Sequence, residues 1–180
     1  MERNSRKSIR LKGYNYANEN FYYITICVKE KRCDLGRIHG GIMELSDIGK
    51  ITDLFWKEIP SHFPNTILDE YIIMPNHLHG IIQLNPHSTN VGVEYIQPDI
   101  QPDIPQNEST FQNVQKNSIP SIIRSFKAAV TRWCNKNKCE YFQWQRNYYE
   151  HIIRTEEDYF RIKQYIQANP LKWNDDEYNI

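Results

Sequence analysis

Two histidines separated by one residue, His77 and His79, are the side chains in this sequence best suited to hold a metal ion. They belong to the stretch YIIMPNHLHGIIQL, which spans residues 71–84. On a β-strand, residues two apart project from the same face, so the two imidazoles would lie roughly 6–7 Å apart at the backbone. Two imidazoles on one strand can supply two ligands to a divalent cation that catalyses phosphoryl or acyl transfer. The alternative is a strand whose two histidines have only a structural role.

The same stretch predicts a β-hairpin that positions this pair. Apolar runs at 67–74 and 77–84 flank a tight turn, in which Pro75 presets one backbone dihedral angle and Asn76 tolerates the next. The hairpin places both histidines at the start of its second strand.

Five further elements are predicted from hydrophobic spacing and capping signals. Residues 21–28 (FYYITICV) form a strand that is apolar on both faces, and residues 141–154 form a turn and then a strand. Helices are expected from Ser46 to Pro60, from Ser118 or Ser121 to about Asn135, and from Thr155, with Asp158 in the capping-box position, to Pro170. The order β-α-β-β-α-β predicts an α+β fold, namely a ferredoxin-like antiparallel sheet with helices on one face and an additional C-terminal helix.

Side-chain packing is predicted for the first and the last of these helices. The first helix is expected to bury one stripe, made of Ile48, Ile51, Leu54, Phe55 and Ile59. On the last helix, Tyr159 and Phe160 are expected to be packing residues. The segment around Gly36, Gly40 and Gly41 is compatible with a short extra hairpin.

Length and composition predict one domain over residues 1–180, with a flexible insertion at 86–117. That insertion is dominated by Pro, Gln, Asn and Ser, and the tetrapeptide IQPD occurs twice in succession, at 96–99 and 100–103. The absence of a long apolar run predicts no membrane association and a cytoplasmic location. The four cysteines lack close CxxC pairing, so reduced thiols are expected.

The formal net charge is zero, so any nucleic-acid-binding surface must be a local patch rather than a property of the whole chain. Two basic segments are candidates for contact with phosphates. The first is an N-terminal arm containing Arg6 and Arg10, and the second is the basic face of the second helix with Arg124, Lys127 and Arg132. The alternative for each is a solvated charged surface.

The last helix carries Tyr165 and Asn169, which are four residues apart and therefore share one face. If this helix crosses the sheet face that bears the two histidines, a phenol and an amide oxygen reach the space between the imidazoles. The predicted site then contains two histidine ligands, one neutral oxygen ligand and a nucleophile.

Three segments in this order, MPNHLHG, WQRNYYEHIIR and YIQANPLKW, resemble the single-tyrosine HUH transposases and most closely the REP-associated tyrosine transposases. The resemblance implies that His77 and His79 bind Mg²⁺ or Mn²⁺, that Asn169 completes the metal site and that Tyr165 is the nucleophile. It also implies that Trp144, Gln145, Arg146 and His151 contact DNA or have a structural role.

The activity that this resemblance implies is nicking and joining of hairpin-containing single-stranded DNA through a 5′-phosphotyrosine intermediate, by a monomer or a homodimer. Two alternatives stay open. One is a non-catalytic protein that keeps the fold and binds DNA hairpins, and the other is a metal-dependent hydrolase that uses water as its nucleophile.

Overall fold

The computed structural model describes residues 14–85, 115–176 and 178–179. The arm with Arg6 and Arg10 and most of the expected insertion at 86–117 lie outside these residues. All four cysteines are free thiols, in agreement with the prediction. Among the described residues, no helix combines the length and the apolar character needed to cross a membrane.

A four-stranded antiparallel sheet forms the centre of the structure. Its strands are β1 (Asn20–Cys27), β4 (Thr66–Ile73), β5 (His77–Leu84) and β6 (Tyr149–Ile153), and their spatial order is β4-β5-β1-β6. The strands β2 (Gly36–His39) and β3 (Ile42–Leu45) form a separate hairpin, as the glycine-rich segment suggested.

The described residues form four α-helices besides these strands. They are α1 (Asp47–Lys57), α2 (Ile59–His62), α3 (Ile119–Lys136) and α4 (Glu156–Ala168), and a 3-10 helix over Asn169–Asp175 continues directly from α4. Ser46 caps α1 by accepting a hydrogen bond from the Gly49 N–H, and Thr155 caps α4 in the same way with the Asp158 N–H. The predicted α+β fold with a C-terminal helix is confirmed.

The two faces of the sheet are covered by different helices. Leu78 and Ile82 of β5 belong to the main hydrophobic core, together with α1 and α3, whereas Ile81 packs with Ile162 and Ile166 of α4. Because neighbouring residues of a strand point to opposite faces, α4 lies on the face opposite to α1 and α3. This is the face to which His77 and His79 project.

Three details of the packing prediction are wrong. The first helix ends at Lys57 instead of Pro60, and Pro60 lies in the first turn of α2, where its missing N–H costs no hydrogen bond. Leu54 is 47% exposed, whereas Trp56, outside the predicted stripe, is completely buried together with Thr52. Phe160 is 52% exposed, so of the two predicted packing residues on α4 only Tyr159 packs against the sheet.

Candidate metal and nucleophile site

His77 and His79 are held side by side at the start of β5, between two strands that restrain their backbone. In the register with β1, His77 lies opposite Cys27 and His79 opposite Thr25. The two side chains are 0% and 1% exposed, and their ring centroids are 4.4 Å apart. Both imidazoles therefore have fixed positions beneath α4.

The Nδ1 atom of each imidazole is hydrogen-bonded to a neighbouring side chain. His77 Nδ1 donates to the amide oxygen of Asn76 at 2.8 Å, so the lone pair of this ring is on Nε2. His79 Nδ1 lies 2.8 Å from the Tyr23 hydroxyl and 2.9 Å from the Thr25 hydroxyl. Hydrogen bonds of this kind orient metal-binding imidazoles and leave Nε2 for the cation.

Both imidazoles are kept neutral by their surroundings. Burial, and to a smaller extent the nearby His79 and Lys31, lowers the pKa of His77 to about 2. Burial alone lowers the pKa of His79 to about 3. A neutral imidazole is the form that binds a metal ion, so no proton has to be removed near neutral pH.

An acidic side chain that the sequence analysis missed completes a group of three candidate ligands. Asp176 Oδ2 lies 4.0 Å from His77 Nε2, and one potential ligand atom each from His77, His79 and Asp176 lie within 4.8 Å of one another. Asp176 Oδ1 accepts a hydrogen bond from the Tyr178 N–H at 2.7 Å. His77 Nε2 is buried and has no hydrogen-bond partner among the described residues. This orphaned nitrogen and the neighbouring carboxylate fit a divalent cation.

Asn169, the predicted third ligand, is the first residue of the 3-10 helix and is 2% exposed. Its Oδ1 is buried and lacks a hydrogen-bond partner in the described part of the chain. A buried polar atom without a partner is costly in a folded protein, and a cation would satisfy it. Asn169 lines the same cleft as Tyr165 and Asp176, so its amide oxygen is a second candidate oxygen donor beside Asp176.

Tyr165 on α4 lies directly above His79. Its hydroxyl oxygen is 3.5 Å from His79 Nε2, and the two ring centroids are 5.3 Å apart. The side chain is 41% exposed and opens into a cleft of about 580 Å³. The cleft is lined by Arg161, Gln164, Tyr165, Ala168, Asn169, Lys172, Asp175 and Asp176. The structure therefore brings the predicted nucleophile and the predicted metal ligands together within a single chain.

A second groove, with a volume of about 570 Å³, collects most of the predicted DNA contacts. It is lined by Lys127, Ala128, Thr131, Arg132, Asn135, Gln143, Trp144, Gln145 and Arg146. The Gln145 N–H donates to the carbonyl oxygen of Cys27 at 2.8 Å, and Cys27 lies opposite His77. The groove therefore adjoins the end of the sheet at which the histidines lie.

Individual groove residues differ in how accessible they are to a ligand. Lys127 Nζ donates to the carbonyl oxygens of Gln145 at 2.6 Å and of Arg146 at 3.2 Å, and burial lowers its pKa to about 8. Trp144 is only 9% exposed and packs against Phe142 in the core. Arg132 and Arg146 are exposed and form the accessible basic part of the groove.

Two further predicted DNA contacts within the described residues, Arg124 and His151, lie elsewhere. Arg124 is exposed on α3 outside the groove lining. His151 projects from β6, where its Nε2 lies 2.6 Å from the Asp158 carboxylate at the start of α4. Asp158 also forms an ion pair with Arg161 of its own helix. Through His151 and Arg161, the Asp158 side chain joins β6 to α4 instead of capping α4.

Comparison with known proteins identifies relatives in sequence and in fold. The chain is 46% identical over 175 residues to an uncharacterised protein of Haemophilus influenzae, a match that covers 96% of this chain and 92% of that one. It belongs to the same family as that protein. No protein-family model matches the sequence. The chain is also 27% identical over 120 residues to an H. influenzae protein named as a REP-associated tyrosine transposase. This match covers 65% of this chain and 56% of that protein.

A solved structure of a REP-associated tyrosine transposase bound to a REP hairpin superimposes with a TM-score of 0.59 and 18% identity, covering 92% of this chain and 74% of that one. The resemblance to REP-associated tyrosine transposases is confirmed. The mixed α+β fold of this chain, with its four-stranded antiparallel sheet and C-terminal helix, is similar to the fold of that structure. The sequence match spans little more than half of the H. influenzae transposase.

Proposed function

We propose that the protein is a metal-dependent HUH tyrosine transposase, which nicks and joins hairpin-containing single-stranded DNA through a 5′-phosphotyrosine intermediate. The observation that supports this most is the position of the Tyr165 hydroxyl, 3.5 Å from His79 Nε2 at the wall of an open cleft. A nucleophile at hydrogen-bonding distance from a metal-binding residue is the arrangement that phosphoryl transfer to a side chain requires.

In this proposal, His77 and His79 would hold the metal ion through their Nε2 atoms, together with an oxygen of Asp176 or Asn169. When bound, it supplies a positive charge that polarises the scissile phosphate and offsets the negative charge that develops on its oxygens. Nitrogen ligands combined with one or two oxygens suit Mn²⁺ better than Mg²⁺, which prefers oxygen ligands.

The proposed reaction is a transesterification that Tyr165 starts. Its oxygen forms a bond to the scissile phosphorus as the bond from phosphorus to the 3′-oxygen breaks, so the 5′ end of the DNA stays on the tyrosine and a 3′-hydroxyl leaves. A tyrosine has a pKa of about 10, so the phenol loses its proton during the attack. The exposed side of Tyr165 lets this proton pass to water, and a second 3′-hydroxyl reverses the reaction to join a new strand.

The proposed substrate is single-stranded DNA with a hairpin. Support comes from the similarity in fold to a REP-associated tyrosine transposase bound to a REP hairpin. The groove with Arg132 and Arg146 supplies positive charge next to the sheet end that carries His77. Cationic side chains in a groove track the phosphates of a nucleic acid without reading its sequence.

The experiment that tests the proposal is incubation of the protein with labelled hairpin-bearing single strands and Mn²⁺ or Mg²⁺, followed by a denaturing gel. The wild type is expected to form a covalent protein–DNA band, and Tyr165→Phe to form none. Tyr149→Phe is the matched control, because Tyr149 is 48% exposed and also contacts Tyr23. It is expected to keep the band.

Three results would contradict the proposal in different ways. A band that persists in Tyr165→Phe excludes this residue as the nucleophile. Cleavage without a covalent band indicates a hydrolase with a water nucleophile. Intact DNA that shifts on a native gel indicates a binding protein without catalysis.

A further inference from the structure

Between Leu68 and Tyr71, the edge strand β4 contains one residue more than the stretch of β5 with which it pairs. Leu68 lies opposite Ile82 and Tyr71 opposite Gly80, so three steps along β4 match two steps along β5. Such an insertion is a β-bulge, which breaks the regular alternation of side chains between the two faces. Asp69 and Glu70 are the residues inside the bulge.

The bulge directs two consecutive acidic side chains towards α4. On either side of it, Leu68 and Tyr71 both pack into the main core, on the opposite face of the sheet. Regular alternation would send either Asp69 or Glu70 into that core as well. Instead, both carboxylates accept hydrogen bonds from α4, and the residue after Tyr71, Ile72, packs with α4.

The contacts of Asp69 and Glu70 extend along two turns of α4. Asp69 accepts hydrogen bonds from the Tyr159 hydroxyl and, at 2.9 Å, from Lys163 Nζ. Glu70 accepts one from Gln167 Nε2 at 2.7 Å. Tyr159, Lys163 and Gln167 are spaced four residues apart, so they form one line along the helix. Tyr165 lies between the last two of these anchors in the sequence.

These polar contacts matter because the apolar contact beneath α4 is small. Among the described residues, the cluster that α4 shares with the sheet has four buried members, with four partly buried side chains packed against it. The buried members are Ile81, Ile153, Ile162 and Ile166, and the partly buried ones are Phe21, Tyr23, Ile72 and Tyr159. The opposite face of the sheet, in contrast, packs against a core of more than twenty buried residues. A helix with so small an apolar footprint can shift or rotate on the sheet unless other contacts fix it.

The ion pair of Asp69 and Lys163 is partly shielded from water. The two side chains are 21% and 31% exposed. Burial works against the charged form of Asp69, but hydrogen bonds from Tyr159 and Lys163 outweigh it and hold the pKa of this carboxyl below its usual value. The hydrogen bond to Asp69 in turn raises the pKa of Lys163. Both groups are therefore charged at neutral pH.

We propose that Asp69 and Glu70 are positioning residues, which fix α4 on the sheet so that the Tyr165 hydroxyl stays next to His79 of the same chain. This role rests on the proposed function, in which Tyr165 is the nucleophile. Neither acidic residue belongs to the group of candidate metal ligands or to the lining of the cleft at Tyr165. They act through Tyr159, Lys163 and Gln167, and their effect is on the geometry of attack.

The test compares Asp69→Asn, Lys163→Met and Lys163→Arg in single-turnover formation of the covalent DNA adduct. Asp69→Asn and Lys163→Met are expected to lower the maximal rate about tenfold, since a displacement of about 1 Å at a reacting group can cost more than that. Lys163→Arg keeps the ion pair and is expected to stay within about twofold of the wild type. Lys50→Met, which removes an exposed ion pair with Asp47 on α1, is the matched control and is expected to change nothing.

The dependence of the rate on DNA concentration separates positioning from DNA binding. Asp69→Asn removes a negative charge and so cannot weaken DNA binding by loss of a cation. A lower maximal rate at an unchanged half-saturating DNA concentration supports the proposal. An unchanged maximal rate in Asp69→Asn and Lys163→Met overturns it.

Hydrogen exchange of the backbone amides provides a readout that does not need catalysis. Asp69→Asn and Lys163→Met are expected to speed exchange in α4 by about tenfold and to leave α1 and α3 unchanged. Unchanged exchange in α4 overturns the proposal even if the rates fall. If the wild type forms no adduct at all, the proposed function is wrong, and hydrogen exchange of the Asp69→Asn, Lys163→Met and Glu70→Gln variants still decides whether the acidic residues fix the helix.

Discussion

Asn76 connects three parts of the candidate site through one buried side chain. Its amide oxygen accepts from His77 Nδ1 at 2.8 Å, and its amide nitrogen donates to the carbonyl oxygens of Lys31 at 3.0 Å and of Tyr178 at 2.7 Å. The contact with Tyr178 holds the C-terminal segment that carries Asp176. The orientation of an imidazole and the position of a carboxylate therefore depend on the same residue.

Asp176 gives a prediction at the scale of a single residue. Replacement of Asp176 by Asn removes the negative charge nearest to His77 Nε2, so we expect Mn²⁺ to bind at least about tenfold more weakly. Titration calorimetry with Mn²⁺ measures this. The control is Asp175→Asn, because Asp175 lines the same cleft but is absent from the group of three ligands. Equal affinity in wild type and Asp176→Asn would leave Asn169 as the oxygen ligand.

At the scale of elements, the bulge in β4 makes the attachment of α4 dependent on pH. The folded-state pKa of Asp69 lies below its value in the unfolded chain, which is near 3.8. The stabilisation is therefore fully present above that value and is lost as the pH falls through the lower folded-state pKa. Acidification is expected to release α4 from β4.

The corresponding prediction concerns Asp69→Asn measured over a range of pH. We expect this variant to be about 1 kcal/mol less stable than the wild type at pH 7 and this difference to shrink below about pH 4. Urea unfolding at several pH values gives the free energies of unfolding. A difference that stays constant down to pH 3 would show that the charge of Asp69 does not stabilise the fold.

The elements that carry the site were predictable because their signals are local. The apolar runs around Pro75 and Asn76 gave the hairpin, and Ser46 and Thr155 gave the helix starts. The bulge was not predicted, because the sequence alone does not show that the side chains of Asp69 and Glu70 point to the same face until α4 is placed against them. Asp176 was missed for a similar reason: its position depends on the contact of Asn76 with Tyr178, 102 residues away.

At the scale of the whole molecule, a zero formal charge coexists with a local basic groove beside the candidate site. Arg132 and Arg146 are its exposed cations, whereas Lys127 is already engaged by two carbonyl oxygens. DNA affinity should therefore depend on a few arginines and on the salt concentration.

This gives a prediction for DNA binding that is independent of catalysis. Arg132→Ala and Arg146→Ala are each expected to weaken binding of single-stranded DNA and to reduce the slope of log affinity against log salt concentration by about 0.7. Fluorescence anisotropy at several salt concentrations measures both quantities. Arg37→Ala, on the β2–β3 hairpin and paired with Glu44, is the control. Unchanged slopes for both groove variants would place the DNA elsewhere.

The bulge in β4 has a second effect, on what can attach to the sheet from outside. Within the described part of the chain β4 is an edge strand, and an edge with regular backbone spacing is a template on which a strand of another chain can pair. The irregular spacing at Asp69 and Glu70, together with their two carboxylates, interrupts that template. The feature that would hold the tyrosine helix in place also protects this edge from aggregation, so copies of the chain that associate would have to meet through another surface.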